Sequence, residues 1–260
     1  MKEEFFAAVL VLAAILSAAA VPVYASPNDD IKEVINQCYK ATDSDTIIRS
    51  CSVVIQSSPN NSDAYNYRGL AYADKRDYGL AIQDYDMALK LKPNDEAVIA
   101  NRGYAYKQKG EFDKAIQDFD RAIELKPNCA RAFVDRGSAF RSKGNFDRAI
   151  TDYDRAILLN PSYTVAFINR GNAWADKREG DMATRDYDRA IKLEPNNALA
   201  FSNRGLTYQQ MCKFDLAVQD FDQVLRLEPN NAQAISNRDL ASRKGGGDKY
   251  MCWLEMNGGK

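Results

Sequence analysis

Histidine is absent from the 260 residues. That removes the side chain most often used as general base and metal ligand, and every triad built on imidazole. A surplus of either charge is also missing. Thirty-five Lys and Arg stand against 36 Asp and Glu, a formal net charge of −1. A broad electrostatic nucleic-acid binder carries a basic excess, so the balance argues against that class. None of the five cysteines forms a C-x-x-C pair, and no imidazole can complete a zinc set, so no metal is expected. No phosphate-cradling loop or dinucleotide fingerprint occurs; the run Gly245-Gly246-Gly247 has neither the spacing nor the preceding strand. A nucleophilic Ser or Cys would lack an imidazole partner. The expectation is a protein that is not an enzyme and needs no cofactor.

What is present begins with a long apolar stretch. Residues Phe5 to Val21 form a 17-residue run interrupted only by Ser17, followed by Pro22 and Val23-Tyr24-Ala25. Compact residues at 23 and 25 match the two sites a signal peptidase inspects. The pattern predicts a signal peptide over 1–25, cleaved after Ala25, and an exported chain, periplasmic or secreted. Lys2 is offset by Glu3 and Glu4, where a signal would be basic. The alternative is an uncleaved membrane anchor, since 17 apolar residues nearly span a bilayer.

Self-comparison then gives a period of 34 residues. Gly69, Gly103, Gly137, Gly171 and Gly205 fall 34 apart, as do the six prolines from Pro59 to Pro229. Ala81, Ala115, Ala149, Ala183 and Ala217 make another column, and Ala88, Ala122, Ala156 and Ala190 a further one. Each window reads as two helices. In 96–129 one apolar stripe runs Ile99, Gly103, Tyr106, and a second runs Phe112, Ala115, Ile116, Phe119, Ala122, Ile123. Gly110 can adopt the left-handed turn between them, and Pro127 ends the second helix. Small residues at 103 and 115 let the two helices approach closely.

These residues resemble the tetratricopeptide repeat (TPR) family. The matching elements in 130–163 are Phe133, Gly137, Phe140, Ala149, Tyr153, Ala156 and Pro161. The resemblance is strong over 62–231 and weak over 28–61. It implies an all-α fold: a right-handed α-solenoid of about six helix-turn-helix repeats plus a C-terminal solvating helix. The expected organisation is a divergent N-terminal pair at 28–61 and five repeats at 62–95, 96–129, 130–163, 164–197 and 198–231. A capping helix at 232–244 and a flexible tail at 245–260 follow. Ile35 and Ile47 occupy the small-residue columns of the first window, and Gly180 stands where other windows have Tyr78, Phe112, Phe146 and Phe214. That makes 164–197 the expected soft joint.

Two sets of residues read as structural. Cys38 and Cys51 are almost symmetric about Ser44, so antiparallel helices bring them together; a disulfide is expected, with two buried thiols as the alternative. Arg68, Arg102, Arg136, Arg170 and Arg204 directly precede the glycines. An arginine in an apolar seam needs a partner. The column Asp84, Asp118, Asp152, Asp186 and Asp220 is the expected one.

The binding candidates lie one residue earlier: Tyr67, Asn101, Asp135, Asn169, Asn203 and Asn237. In the resembled family this face of the first helix lines a concave groove. An Asn amide matches a peptide backbone. Helices spaced about 8–10 Å apart would let one asparagine hold roughly every third residue of an extended peptide. The arrangement is similar to the asparagine ladder in the repeat domain of the transferase that adds N-acetylglucosamine to Ser and Thr. The competing reading pairs these asparagines with neighbouring helices. Tyr104, Asn172, Leu206 and Gln209 suggest a neutral, mildly apolar surround. The carboxylate clamp of chaperone-binding members is incomplete: Lys32 and Asn36 fit, but Tyr67 and Ala97 do not.

The expected function is a protein-interaction scaffold or adaptor holding an extended segment of another protein, without nucleic acid, and without membrane contact once the signal is cleaved. Similar small exported proteins of Gram-negative bacteria imply a cell-envelope setting. The rival reading is a self-associating, homo-oligomeric structural protein with no specific groove ligand.

Overall fold

The computed structural model describes residues 27–247, and side chains over 31–245. The expected signal segment and the last thirteen residues lie outside that range. Among the described residues there are thirteen α-helices and no strand. They fall into two compact units, one through Pro127 and one from Asn128.

The first unit contains α1 (Pro27–Lys40), α2 (Ser44–Ser57), α3 (Ser62–Asp74), α4 (Tyr78–Leu91), α5 (Glu96–Gln108) and α6 (Phe112–Leu125). The second contains α7 (Ala130–Ser142), α8 (Phe146–Leu159), α9 (Thr164–Asp176), α10 (Gly180–Leu193), α11 (Ala198–Gln210), α12 (Phe214–Leu227) and α13 (Ala232–Gly247). Within each unit, helices pair in sequence order, and each second helix also packs on the next first helix.

Local chemistry sets the boundaries. Asp43, Asn61, Asp95 and Asn197 accept hydrogen bonds from the N–H groups of Thr46, Ala64, Val98 and Ala200. Such N-caps are typically worth about 1 kcal/mol. The turns inside the pairs pass through a left-handed residue: Gly110 and Gly144, but also Arg76, Arg178 and Cys212.

Packing within a pair centres on a ring lying over a glycine. A Cβ built on Gly137 would sit 2.8 Å from Tyr153 Cε1, and one on Gly171 2.7 Å from Tyr187 Cε1. Gly69 meets Tyr85, Gly103 meets Phe119, and Gly205 meets Phe221 in the same way. The rings are buried, and burial pushes the Tyr153 phenol up to about 12. The first pair departs from this. Ile35, at the glycine position, faces outward, and the close approach falls at Cys38 and Cys51, which are disulfide-bonded with Cα atoms 4.7 Å apart.

Arginines clasp the pairs. Arg170 donates from Nε to Asp186 Oδ2 at 2.8 Å and from Nη2 to Oδ1 at 2.6 Å. Arg68–Asp84, Arg102–Asp118, Arg136–Asp152 and Arg204–Asp220 repeat the two-pronged geometry. A further link was not anticipated from the sequence. The free prong reaches back to the preceding repeat: Arg102 to Asp86 at 2.7 Å, Arg170 to Asp154 at 2.5 Å, and Arg204 to Asp188. At the start of the array Ser52 Oγ takes that place, accepting from Arg68. Burial holds the Asp186 and Asp220 carboxyls above their ordinary value, against the pull of their arginines.

Two irregular sites depart from what the sequence predicts. Gly180 leaves no void, because Met211 from the next repeat lies over it; a Cβ there would be 2.6 Å from the Met211 sulfur. The last helix, expected to stop at 244, continues through the three glycines to Gly247. Its final turn runs beside the start of α12, where Gly245 approaches Phe214 Cβ. Tertiary packing overrides the poor helix propensity of glycine. Asp239, in the glycine column, stays partly exposed and pairs with Arg238.

These contacts have measurable consequences for stability. Gly137→Ala should cost about 1–3 kcal/mol in urea unfolding, because Tyr153 must shift. Gly79→Ala, with nothing within 4 Å of the new methyl, should instead gain about 0.5–1 kcal/mol. Arg170→Met should cost about 3 kcal/mol by stranding Asp186, and adding Asp186→Leu should restore most of it; no recovery in the double variant would refute the pairing.

Candidate functional site

On each first helix, positions spaced i, i+4 and i+7 share one face. The second helices cover the opposite side, so this stripe holds the candidate residues.

In the first unit the stripe on α3 carries Tyr67, which is 37% exposed. Its ring meets Tyr39 edge-on, with centroids 5.1 Å apart. Tyr39 in turn accepts a hydrogen bond from Asn61 Nδ2 at 2.9 Å. On α5, Asn101 is half-buried and donates to Asn66 Oδ1 at 3.2 Å. Tyr104 is exposed, with Lys107 Nζ 5.0 Å from its ring centroid. This surface is aromatic, and its one asparagine is partly engaged within the chain.

In the second unit Asp135 on α7 forms a 3.5 Å ion pair with Arg131, one turn away. The stripes on α9 and α11 differ, because none of their residues is charged. On α9 it reads Val165, Asn169, Asn172; on α11 it reads Leu199, Asn203, Leu206. Val165, Leu199 and Leu206 are exposed. Asn172 accepts twice, from Tyr187 Oη at 2.8 Å and from Asn203 Nδ2 at 2.9 Å. Both of its acceptor lone pairs are therefore used. Asn169 is half-buried and makes no side-chain hydrogen bond among the described residues. Of the three amides on these two stripes, it is the one with neither end engaged among the described residues.

Asn237 on α13 stands apart from its column. It is buried, its Oδ1 accepts from Gln233, and Gln209 donates to its main-chain oxygen at 2.9 Å. It stabilises the end of the unit and is not offered at the surface. The amides of Asn101, Asn203 and Asn237 are thus engaged between or along helices to different degrees. The sequence carries no signal for this beyond Asn66 and Asn172 lying near their partners on neighbouring first helices.

Family comparison is consistent with this geometry. A model described as "Tetratricopeptide repeat" matches residues 62–95, 98–129, 130–163 and 198–231. A second, described as "TPR repeat", matches 181–211. The window that escapes the first model contains Gly180. No curated protein matches the chain. Among solved structures, the MamA protein is 28% identical, with a TM-score of 0.56, over 66% of this chain and 94% of that one. YrrB, titled a TPR protein with an unusual peptide-binding site, is 21% identical with a TM-score of 0.55, covering 73% of this chain and 97% of that one. A thermophilic TPR protein of Thermus thermophilus is 19% identical with a TM-score of 0.59, covering 70% and 99%. The last two likenesses bear on the fold alone. With its helix pairs, glycine–aromatic seam and matched repeats, the chain belongs to the tetratricopeptide repeat family.

Proposed function

We propose that this protein is a non-enzymatic binding module whose second unit holds an uncharged, partly apolar, extended segment of a partner protein. The stripe of α9 and α11 is the contact surface. Repeats of this family act in general as scaffolds for protein–protein interaction, which supports a protein partner. The observation that carries the reading is Asn169. A half-buried amide with no hydrogen-bond partner among the described residues, one turn from the exposed Val165 and with the exposed Leu199 and Leu206 on the stripe of the next first helix, offers a donor and an acceptor in an apolar frame. A peptide backbone supplies the complement of both. The absence of charge on this stripe disfavours an acidic or basic ligand. In the first unit Tyr67, Asn101 and Tyr104 form a comparable, more aromatic surface for the same class of ligand.

The compartment we propose is oxidising and outside the cytosol. The Cys38–Cys51 disulfide supports it, since such bonds persist in secreted and periplasmic proteins and are rare in the cytosol. No helix among the described residues is long and apolar enough to cross a membrane.

Three experiments test this. A photo-crosslinking residue placed at 169 or 203 should capture a partner polypeptide in the native cell. The same residue at Leu158, exposed on α8, should not. Adducts at twice the chain mass would replace the partner reading with self-association, and equal capture at 158 would remove the stripe from consideration. With a partner in hand, Leu199→Asp should weaken binding about tenfold or more, the loss expected when a buried leucine contact is removed. For the export reading, intact-mass measurement of the native chain should give a product starting at Ser26; a chain retaining residues 1–25 would favour the anchor.

A further inference from the structure

Two side-chain amides that share one hydrogen bond have two equivalent arrangements, because either amide can be the donor. Asn172 on α9 and Asn203 on α11 are such a pair, both half-buried. In the structure Asn203 Nδ2 donates to Asn172 Oδ1 at 2.9 Å. A third group breaks the tie. Tyr187 on α10 donates from Oη to the same Asn172 oxygen at 2.8 Å. A phenol is a better donor than acceptor, because its oxygen shares a lone pair with the ring. With Asn172 turned over, that proton would face an N–H group. The Tyr187 side chain is 1% exposed, and burial pushes its phenol well above the ordinary value, so the O–H keeps its proton. Thr207, buried on α11, also hydrogen-bonds this hydroxyl. The hydroxyl is thus held from both first helices that flank it.

The device is confined to this repeat. Among the rings that lie over glycines, Phe119 and Phe221 carry no hydroxyl, and Tyr153 donates to a serine, Ser138, at 3.3 Å. A serine hydroxyl can rotate to suit its neighbours. An amide cannot reverse without exchanging its donor side for its acceptor side. With the pair fixed in one sense, Asn172 Nδ2 and Asn203 Oδ1 are left without hydrogen bonds among the described residues.

We propose that Tyr187 is a positioning residue for the bound segment: its hydroxyl sets the amide pair so that Asn172 offers the ligand N–H groups alone and Asn203 offers its carbonyl oxygen. This rests on the reading that the α9 and α11 stripe holds a peptide. The ligand must then bring a carbonyl oxygen to Asn172 and an N–H to Asn203. An extended, uncharged backbone carries both, whereas a carboxylate carries no N–H. Selection is therefore for main chain and not for an acidic side chain.

The orientation and the ligand role are tested separately. Tyr187→Phe keeps a ring on Gly171, as Phe119 and Phe221 do on their own glycines. In the ¹⁵N-labelled chain, side-chain amide exchange followed by NMR should be slower at Asn203 than at Asn172. The difference should shrink in Tyr187→Phe. Slower exchange at Asn172, or an unchanged difference in the variant, would overturn the orienting role. The ligand role is read from the adduct formed in the native cell by a photo-crosslinking residue at 165. Asn172→Asp keeps the acceptor for Tyr187 and Asn203 but removes both N–H donors. It should lower the adduct about fivefold, the loss of about one net hydrogen bond. Asn203→Asp adds the same charge nearby yet keeps the ligand-facing oxygen, and should lose less. Tyr187→Phe should lose about twofold, as the pair divides between two senses. Equal losses in the two Asp variants would reduce the effect to charge and overturn the donor role, as would undiminished capture in Asn172→Asp. No adduct at 165 in the otherwise native chain would overturn the ligand role together with the peptide reading, whatever the exchange rates show.

Discussion

A ring resting on a glycine is the contact on which the rest depends. A single pair of short helices has too little interior to bury its own apolar face. The pair becomes stable only when its helices approach closely and neighbours cover what is left. Gly69, Gly103, Gly137, Gly171 and Gly205 remove the side chain that would hold the helices apart, and Tyr85, Phe119, Tyr153, Tyr187 and Phe221 fill the space. Any side chain at the glycine collides with a buried ring that has nowhere to go, since interiors are close-packed. The first pair reaches the same end by covalent means, drawing its helices together at Cys38 and Cys51.

The charged columns act on spacing more than on stability. Desolvating an arginine and an aspartate largely offsets their attraction, so a buried pair is weak evidence of net stabilisation. What the geometry does secure is register. One guanidinium grips the aspartate sixteen residues ahead with two prongs and the one sixteen residues behind with the third, as Arg102 does with Asp118 and Asp86. A slip of one turn would break both links. This use of charge also explains how a chain with 27% charged residues leaves the α9 and α11 stripes neutral: many of the ions are committed to the frame.

The helix pairs, their turns and the first aspartate column were legible because each rests on spacing within one window. Gly110 and Pro127 act through their own backbone geometry, and Arg170 and Asp186 face each other whenever two helices of that length fold back. The second aspartate column was visible as a repeat but not as a partner, because its arginine belongs to the following window. Gly180 read alone as a defect. Its compensation by Met211 depends on a residue 31 positions later, which periodicity cannot link to it.

The same division runs through the candidate surface. Sequence alone determined that an asparagine recurs on one face of the first helices, since i, i+4 and i+7 neighbours follow from helical pitch. Which of those amides is free was decided only by the packed neighbours. Asn172 collects Tyr187 and Asn203, Asn237 is enclosed by Gln209 and Gln233, and Asn169 is left open. An amide hydrogen bond depends on atoms a few ångströms away, whatever their distance along the chain. Pattern could say where the polar groups stand, and only the fold could say which ones remain unsatisfied.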